Sequence, residues 1–155
     1  MNKPPSDPLA RPAAGPSGLE VLRGFIAAGK RPPMAVTLGI DLIEIEPGRA
    51  VFAGVPGANT YNPLGMVHGG YAATLLDSAC GCAVHAQLRA DQTYTTLELK
   101  VAYHKPLTSE TGLVRAVGTV LSIGRRVAFA EAKLTDASGR LYASATSTLL
   151  VIEPA

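Results

Sequence analysis

Between Pro47 and Ala90 the chain holds a single acidic residue, Asp77, flanked by Leu75, Leu76, Ala79 and Cys80. An ionised carboxylate in apolar surroundings is costly unless it is paired or wet. Two readings follow: a paired polar group of the core, or a functional carboxylate, since perturbed acids gather at functional sites. Eight residues earlier stands His68-Gly69-Gly70. Glycines at a helix start let another group approach the backbone. The first helical N–H groups lack partners and carry the positive dipole end. Such donors polarise a carbonyl and stabilise an oxyanion; the alternative is that the glycine pair only allows close packing. Gly69 and Asp77 lie ~12 Å apart along a helix axis. One carbonyl cannot touch both groups on one helix, so joint action on a carbonyl requires two antiparallel helices at a two-fold interface.

The elements that must position these groups are legible from periodicity and turn residues. The stretch from Val67 to Arg89 has no proline and many small apolar residues, which predicts a long buried helix. Before it, Leu19, Leu22, Phe25 and Ile26 fall at helical spacing behind Ser17, a candidate N-cap, and Pro32-Pro33 ends that helix. Residues Met34 to Glu46 read as one strand, Pro47-Gly48 as a turn, and Arg49 to Val55 as its hairpin partner. Residues Pro56 to Met66 form a loop. After the long helix, strands are expected over Thr95–Tyr103, Gly112–Ser122, Val127–Thr135 and Leu141–Ile152. In the first of these, strict alternation would place Leu97, Leu99, Val101 and Tyr103 on one face. The order predicts an α+β domain, residues 17–155, with an antiparallel sheet of about six strands wrapped around one central helix. Residues 1–16 read as a proline-rich disordered or extended tail.

Composition excludes several function classes. Charged residues make up only 17% of the chain and the net charge is +2, with no basic block, which argues against a nucleic-acid-binding face. Tryptophan is absent, so stacking platforms for bases are not expected either. No stretch reaches the length of a membrane span, and the N-terminus has no apolar signal core. A reducing cytoplasm is expected, with Cys80 and Cys82 as small unpaired thiols. With so few charges to cover a surface, apolar area is expected to be buried between subunits.

The run Asn62-Pro63-Leu64-Gly65-Met66-Val67-His68-Gly69-Gly70, followed by Leu75-Leu76-Asp77-Ser78, resembles the hotdog-fold acyl-CoA thioesterases of the phenylacetate-pathway (PaaI) type. The resemblance covers roughly residues 34–153. It implies a hotdog fold, hydrolysis of an acyl-CoA to a free acid and CoA, and a homodimer paired into a dimer of dimers. It implies that Gly69 donates its N–H to the thioester carbonyl, with Gly70 beside it against the substrate. Asp77 of the opposite subunit would be nucleophile or general base. Asn62 and Thr96 would position water or carbonyl, and His68 would support the loop. The turn Ser122-Ile123-Gly124-Arg125-Arg126 resembles the loop that meets the CoA phosphates, a role suited to the planar guanidinium fork; a solvated turn is the plainer alternative. No cofactor or metal is implied. Thr74 and Ser78 have no base partner in sequence and no G-x-S-x-G elbow is present, so a serine hydrolase is disfavoured. A non-catalytic acyl-CoA-binding module and an enoyl-CoA hydratase of the same fold are the alternative functions.

Overall fold

The computed structural model describes residues 15–154, so the tail expected over residues 1–16 falls almost wholly outside the described residues. Ser17 caps helix α1 (Gly18–Ala27): its side chain accepts from the Glu20 N–H, and the Glu20 carboxylate reaches back to the Ser17 N–H at 2.7 Å. That reciprocal pair satisfies two donors that the helix start would otherwise leave open.

The strand expected from Met34 to Glu46 is a correction. A second helix, α2 (Pro33–Leu38), occupies its first part, and strand β1 spans only Ile40–Glu46. Pro33 sits at the start of α2, where its missing N–H costs nothing. Gly39 ends it at φ 64°, a left-handed conformation that glycine adopts readily. The prolines that stop α1 therefore start α2.

The remaining elements follow the expected order. Strand β2 (Arg49–Gly54) pairs with β1 through the Pro47-Gly48 turn. The long helix α3 spans Gly69–His85. Strands β3 (Thr93–Tyr103), β4 (Val114–Ile123), β5 (Val127–Asp136) and β6 (Leu141–Ile152) complete one antiparallel sheet, ordered β1-β2-β4-β5-β6-β3. Strands β1 and β3 are its two edges.

Helix α3 crosses one face of the sheet and touches all six strands. Small residues let it approach closely: Ala116, Ala128, Ala130, Ala132 and Ala143 on the strands face Ala72, Ala79 and Ala83 of the helix, all buried. At Gly118 of β4 an added Cβ would overlap the carbonyl group of Ala79, so the strand and helix backbones meet there. The helix is not buried all round, as its composition had predicted. Gly70, Ala73, Thr74, Asp77 and Ser78 form a stripe at helical spacing that no element of this chain covers completely.

Strand β3 carries a second correction. Its pairing with β6 shifts between Thr96 and Glu98, so Leu97 forms a bulge and is 58% exposed. An extra residue reverses the alternation on the two sides of the bulge. Tyr94 and Thr96 therefore face α3 together with Leu99 and Val101, while Leu97, expected on the same face as Leu99, points away.

At the far end, Asp136 organises the β5–β6 turn. Its carboxylate accepts from the Ser138 N–H and hydroxyl, the Arg140 N–H and the Tyr142 hydroxyl. The Ser138 hydroxyl bond is the largest of the effects that hold its pKa below the ordinary carboxylate value.

Two outcomes are expected. Gly118→Val should destabilise the fold by at least the ~1–3 kcal/mol of an overpacked core, read as a lower Tm. Because the folded-state pKa of Asp136 is depressed, its contribution is complete above the ordinary carboxylate value and lost as pH falls through the depressed one. Asp136→Ala should thus lower Tm at pH 7, with the deficit shrinking below about pH 4; a deficit independent of pH would refute this assignment.

Candidate active site

The structure gathers the expected residues into two groups. The first surrounds the start of α3. His68 is its N-cap, in extended conformation, and its Nδ1 accepts the Gly70 N–H at 2.8 Å. The His68 carbonyl accepts the Tyr71 N–H at 2.9 Å, and its own N–H is bonded to the Thr60 carbonyl at 2.7 Å. The Tyr103 hydroxyl donates to the Gly69 carbonyl at 2.9 Å. The peptide planes on both sides of Gly69 are thereby fixed. The Gly69 N–H has no acceptor among the described residues, while that of Gly70 is already used by His68. Of the two glycines, only Gly69, the expected donor, has an N–H left for a substrate. A Cβ at Gly69 would stand 3.0 Å from the Tyr103 ring, which would have to move by a few tenths of an ångström to admit it.

Asn62 belongs to the same group. Its Oδ1 accepts from the N–H groups of Leu64 and Met66, at 2.9 and 3.2 Å, and holds the loop in a tight turn. Its carboxamide lines a cleft of about 320 Å³ together with His68, Gly69, Tyr103, Lys105 and Tyr142. Tyr103 and Lys105 were not expected as site residues. Tyr103 read only as the last residue of a strand, and nothing local marks it as the partner of a backbone carbonyl 34 residues away. Lys105, before Pro106, offered a charge but no spacing to any other group.

The second group lies further along α3. Thr96 donates from Oγ1 to Asp77 Oδ1 at 3.1 Å. The Leu97 bulge makes this bond possible by turning Thr96 towards the helix. Asp77 is half-buried on the uncovered stripe and makes no ion pair among the described residues. Its titratable neighbours Cys82 and Tyr94 are held in their neutral forms. Burial first, and then the Asp77 carboxylate, push the Cys82 thiol up to about 12. Burial, then Cys82 and Asp77, also raise the Tyr94 phenol. Both cysteines are free thiols, Cys80 buried and Cys82 half-buried.

Arg125 and Arg126 are exposed in the β4–β5 turn, and neither is ion-paired among the described residues. The Arg126 carbonyl accepts the Val151 N–H at 2.8 Å, and Leu150 beside it pairs with Thr95. The arginine turn therefore sits at the Thr96 end of β3, one strand away. Gly69 is held at the opposite end of β3, by Tyr103. Within one chain the donor and the carboxylate do not converge, as their spacing had required.

Known proteins share this arrangement of elements. The profile of the thioesterase superfamily matches residues 64–143, more than half of the chain and including the His68-Gly69-Gly70 turn and Asp77. The chain is 28% identical over 115 residues to the 1,4-dihydroxy-2-naphthoyl-CoA hydrolase of Listeria monocytogenes, covering 74% of this chain and 92% of that protein. It is 28% identical over 121 residues to the proofreading thioesterase EntH of Klebsiella pneumoniae, covering 78% and 87%. The phenylacetic acid degradation protein PaaI of Thermus thermophilus superposes with a TM-score of 0.69 at 28% identity, over 77% of this chain and 98% of that one. A central helix that opens on a free, fixed N–H and carries one half-buried carboxylate, in a sheet of this order, places the chain in the thioesterase superfamily: it has the hotdog fold and is a thioester hydrolase.

Proposed function

We propose that the protein hydrolyses an acyl-CoA at a site built from the Gly69 group of one subunit and the Asp77 group of its partner in a homodimer. The observation that carries this reading is the separation of the two groups to opposite ends of β3, on a helix whose intervening stripe is left uncovered. Two antiparallel copies of α3, meeting on that stripe, would bring Gly69 of each against Asp77 of the other. The long edge strand β3 offers unpaired backbone groups beside the same stripe. Further pairing into a dimer of dimers, and a cytoplasmic location, are part of the same proposal; among the described residues no helix is long and apolar enough to cross a membrane.

The chemistry follows from the groups in place. The thioester carbonyl oxygen accepts from the Gly69 N–H, aided by the positive end of α3. Asn62 flanks the same cleft and orients the carbonyl or the attacking water. His68 acts through the backbone, as the cap that fixes the turn, and Gly70 supplies conformation rather than a donor. Asp77 either attacks the carbonyl carbon or takes a proton from the water that does. In both cases the carbonyl oxygen gains the negative charge, the C–S bond breaks and CoA leaves as the thiolate. Where Asp77 is the base, the proton it took from water goes to that thiolate. Where Asp77 attacks, the mixed anhydride left on its carboxylate is hydrolysed by water, which frees the acid, restores Asp77 and supplies the proton. Thr96 holds the Asp77 carboxylate in one orientation. Arg125 and Arg126 meet the CoA phosphates, with Lys105 from the other subunit supplying a further cation. No metal or organic cofactor enters any step.

Asp77→Asn should lower kcat for an acyl-CoA by about 10²–10⁴-fold, and Thr96→Val by roughly tenfold, the equivalent of one hydrogen bond to a charged group. Undiminished turnover in Asp77→Asn would remove the carboxylate from the mechanism. The shared site has its own test. Gly69→Pro removes the donor at a position where proline fits a helix start, with a small adjustment of Tyr103. Mixing inactive Asp77→Asn and Gly69→Pro chains should restore about a quarter of the parental activity, because half of the dimers are mixed and each holds one intact site. No recovery in verified mixed dimers would mean that each chain works alone.

A further inference from the structure

A second cavity, of about 510 Å³, lies beneath α1, away from the Gly69 cleft. Its walls are Val21, Leu22, Phe25 and Ile26 of α1, Ala35 of α2, and Ile40, Leu42 and Phe52 of the sheet. Cys82 and His85 close it on the α3 side. Its charged residues, Lys30, Arg31 and Asp41, belong to the segment after α1 and to the start of β1, and Arg31 and Asp41 are paired at 2.5 Å. A cavity of this size and composition is that of a small-molecule site rather than a packing defect.

Its position relative to the carboxylate is what gives it a use. Ser78, Cys82 and His85 follow one another at helical spacing and continue the partly exposed stripe on which Asp77 lies. Tyr94, on the helix-facing side of β3, packs against His85 with its ring tilted by 53° at a centroid distance of 5.6 Å, and its hydroxyl stands 2.6 Å from where a Gly81 Cβ would be. The phenol ring thus lies beside α3 between Asp77 and the cavity. Both polar side chains of the α3 wall are uncharged at neutral pH: burial lowers the His85 pKa and raises that of Cys82. On the α3 side, an apolar chain extending beyond Asp77 would meet no charge.

We propose that the cavity under α1 receives the distal end of a linear aliphatic acyl group whose thioester is held at Asp77, so that the substrate class is medium-chain acyl thioesters. The inference rests on the acyl-CoA reading above and adds the acyl part to it. Asp77 and His85 are ~12 Å apart along α3, a span that an extended chain of roughly ten carbons covers. Short acyl groups end on the stripe; longer ones reach the cavity and gain from leaving water, by roughly threefold to fourfold per buried methylene.

The test uses two CoA thioethers that cannot be hydrolysed, ethyl-CoA and decyl-CoA, with binding measured by calorimetry on the full chain. Decyl-CoA should bind at least ~10-fold more tightly than ethyl-CoA. Ile26→Trp and Val21→Trp, which fill the cavity from α1, should reduce that ratio to near one while leaving ethyl-CoA affinity unchanged; two variants guard against one that fails to fold. A parental ratio near one, or a ratio that survives both substitutions, overturns the inference and assigns the cavity to some other occupant, such as a second copy of the chain. Failure of both thioethers to bind at all overturns the acyl-CoA reading together with this one. The expected ratio with no hydrolysis of decanoyl-CoA leaves the acyl pocket standing and refutes the proposed reaction alone.

Discussion

The seat of α3 on the sheet is the constraint on which everything else depends. Gly118 brings β4 against the helix backbone at Ala79, and the alanines around that point allow no larger gap. A helix seated so closely cannot slide or roll by a residue without collision. Its start is then fixed against Tyr103 and its middle against Thr96. The donor and the carboxylate sit on one rigid rod, and the precision of each comes from the packing between them. This explains why so apolar a core tolerates a carboxylate: Asp77 lies on the one stripe that the sheet does not cover.

Much of this architecture was legible in the sequence, and the reasons are local. Pro47-Gly48 and Asp136-Ala137-Ser138-Gly139 specify turns by their own chemistry, and the long proline-free alanine-rich run specifies a central helix. The lone acid and the glycine pair stood out because each contradicts its surroundings. What escaped was set by partners distant in the chain. Pro32-Pro33 reads equally as a stop for one helix and a start for the next, and only Gly39 at positive φ decides it. The Leu97 bulge has no marker in sequence, since Leu97 satisfies the apolar alternation that the strand then breaks. The Tyr103 bond to Gly69 joins a strand end to a helix start that no local pattern connects.

The bulge also shows how small a register change decides whether Thr96 reaches Asp77. Without it, a strand keeping Leu99 and Val101 inward would turn Thr96 away from the helix and leave the Asp77 carboxylate without its hydroxyl partner. The exposed Leu97 is the corollary: an apolar side chain is turned outward on an edge strand so that a hydroxyl can be turned inward. That exchange is unfavourable for an isolated chain, since it leaves both an apolar surface and a strand edge open. In the proposed dimer it would become favourable where a second copy covers them.

The low charged fraction can be understood on the same ground. The long edge of β3 and the uncovered stripe of α3 adjoin at Thr96 and Asp77, and neither carries the dense charge that would keep a monomer apart. In the proposed dimer these surfaces are the walls of the site rather than its exterior. Excluding water there strengthens the pull of the Gly69 N–H on a carbonyl oxygen, because its field is screened less. The same exclusion would penalise Asp77 were it not held by Thr96 and open to the substrate side. In the proposed dimer sparse charge thus serves assembly and chemistry together, and the exposed arginines of the β4–β5 turn stand at the margin, where the proposed CoA would be met without bringing its phosphates inside.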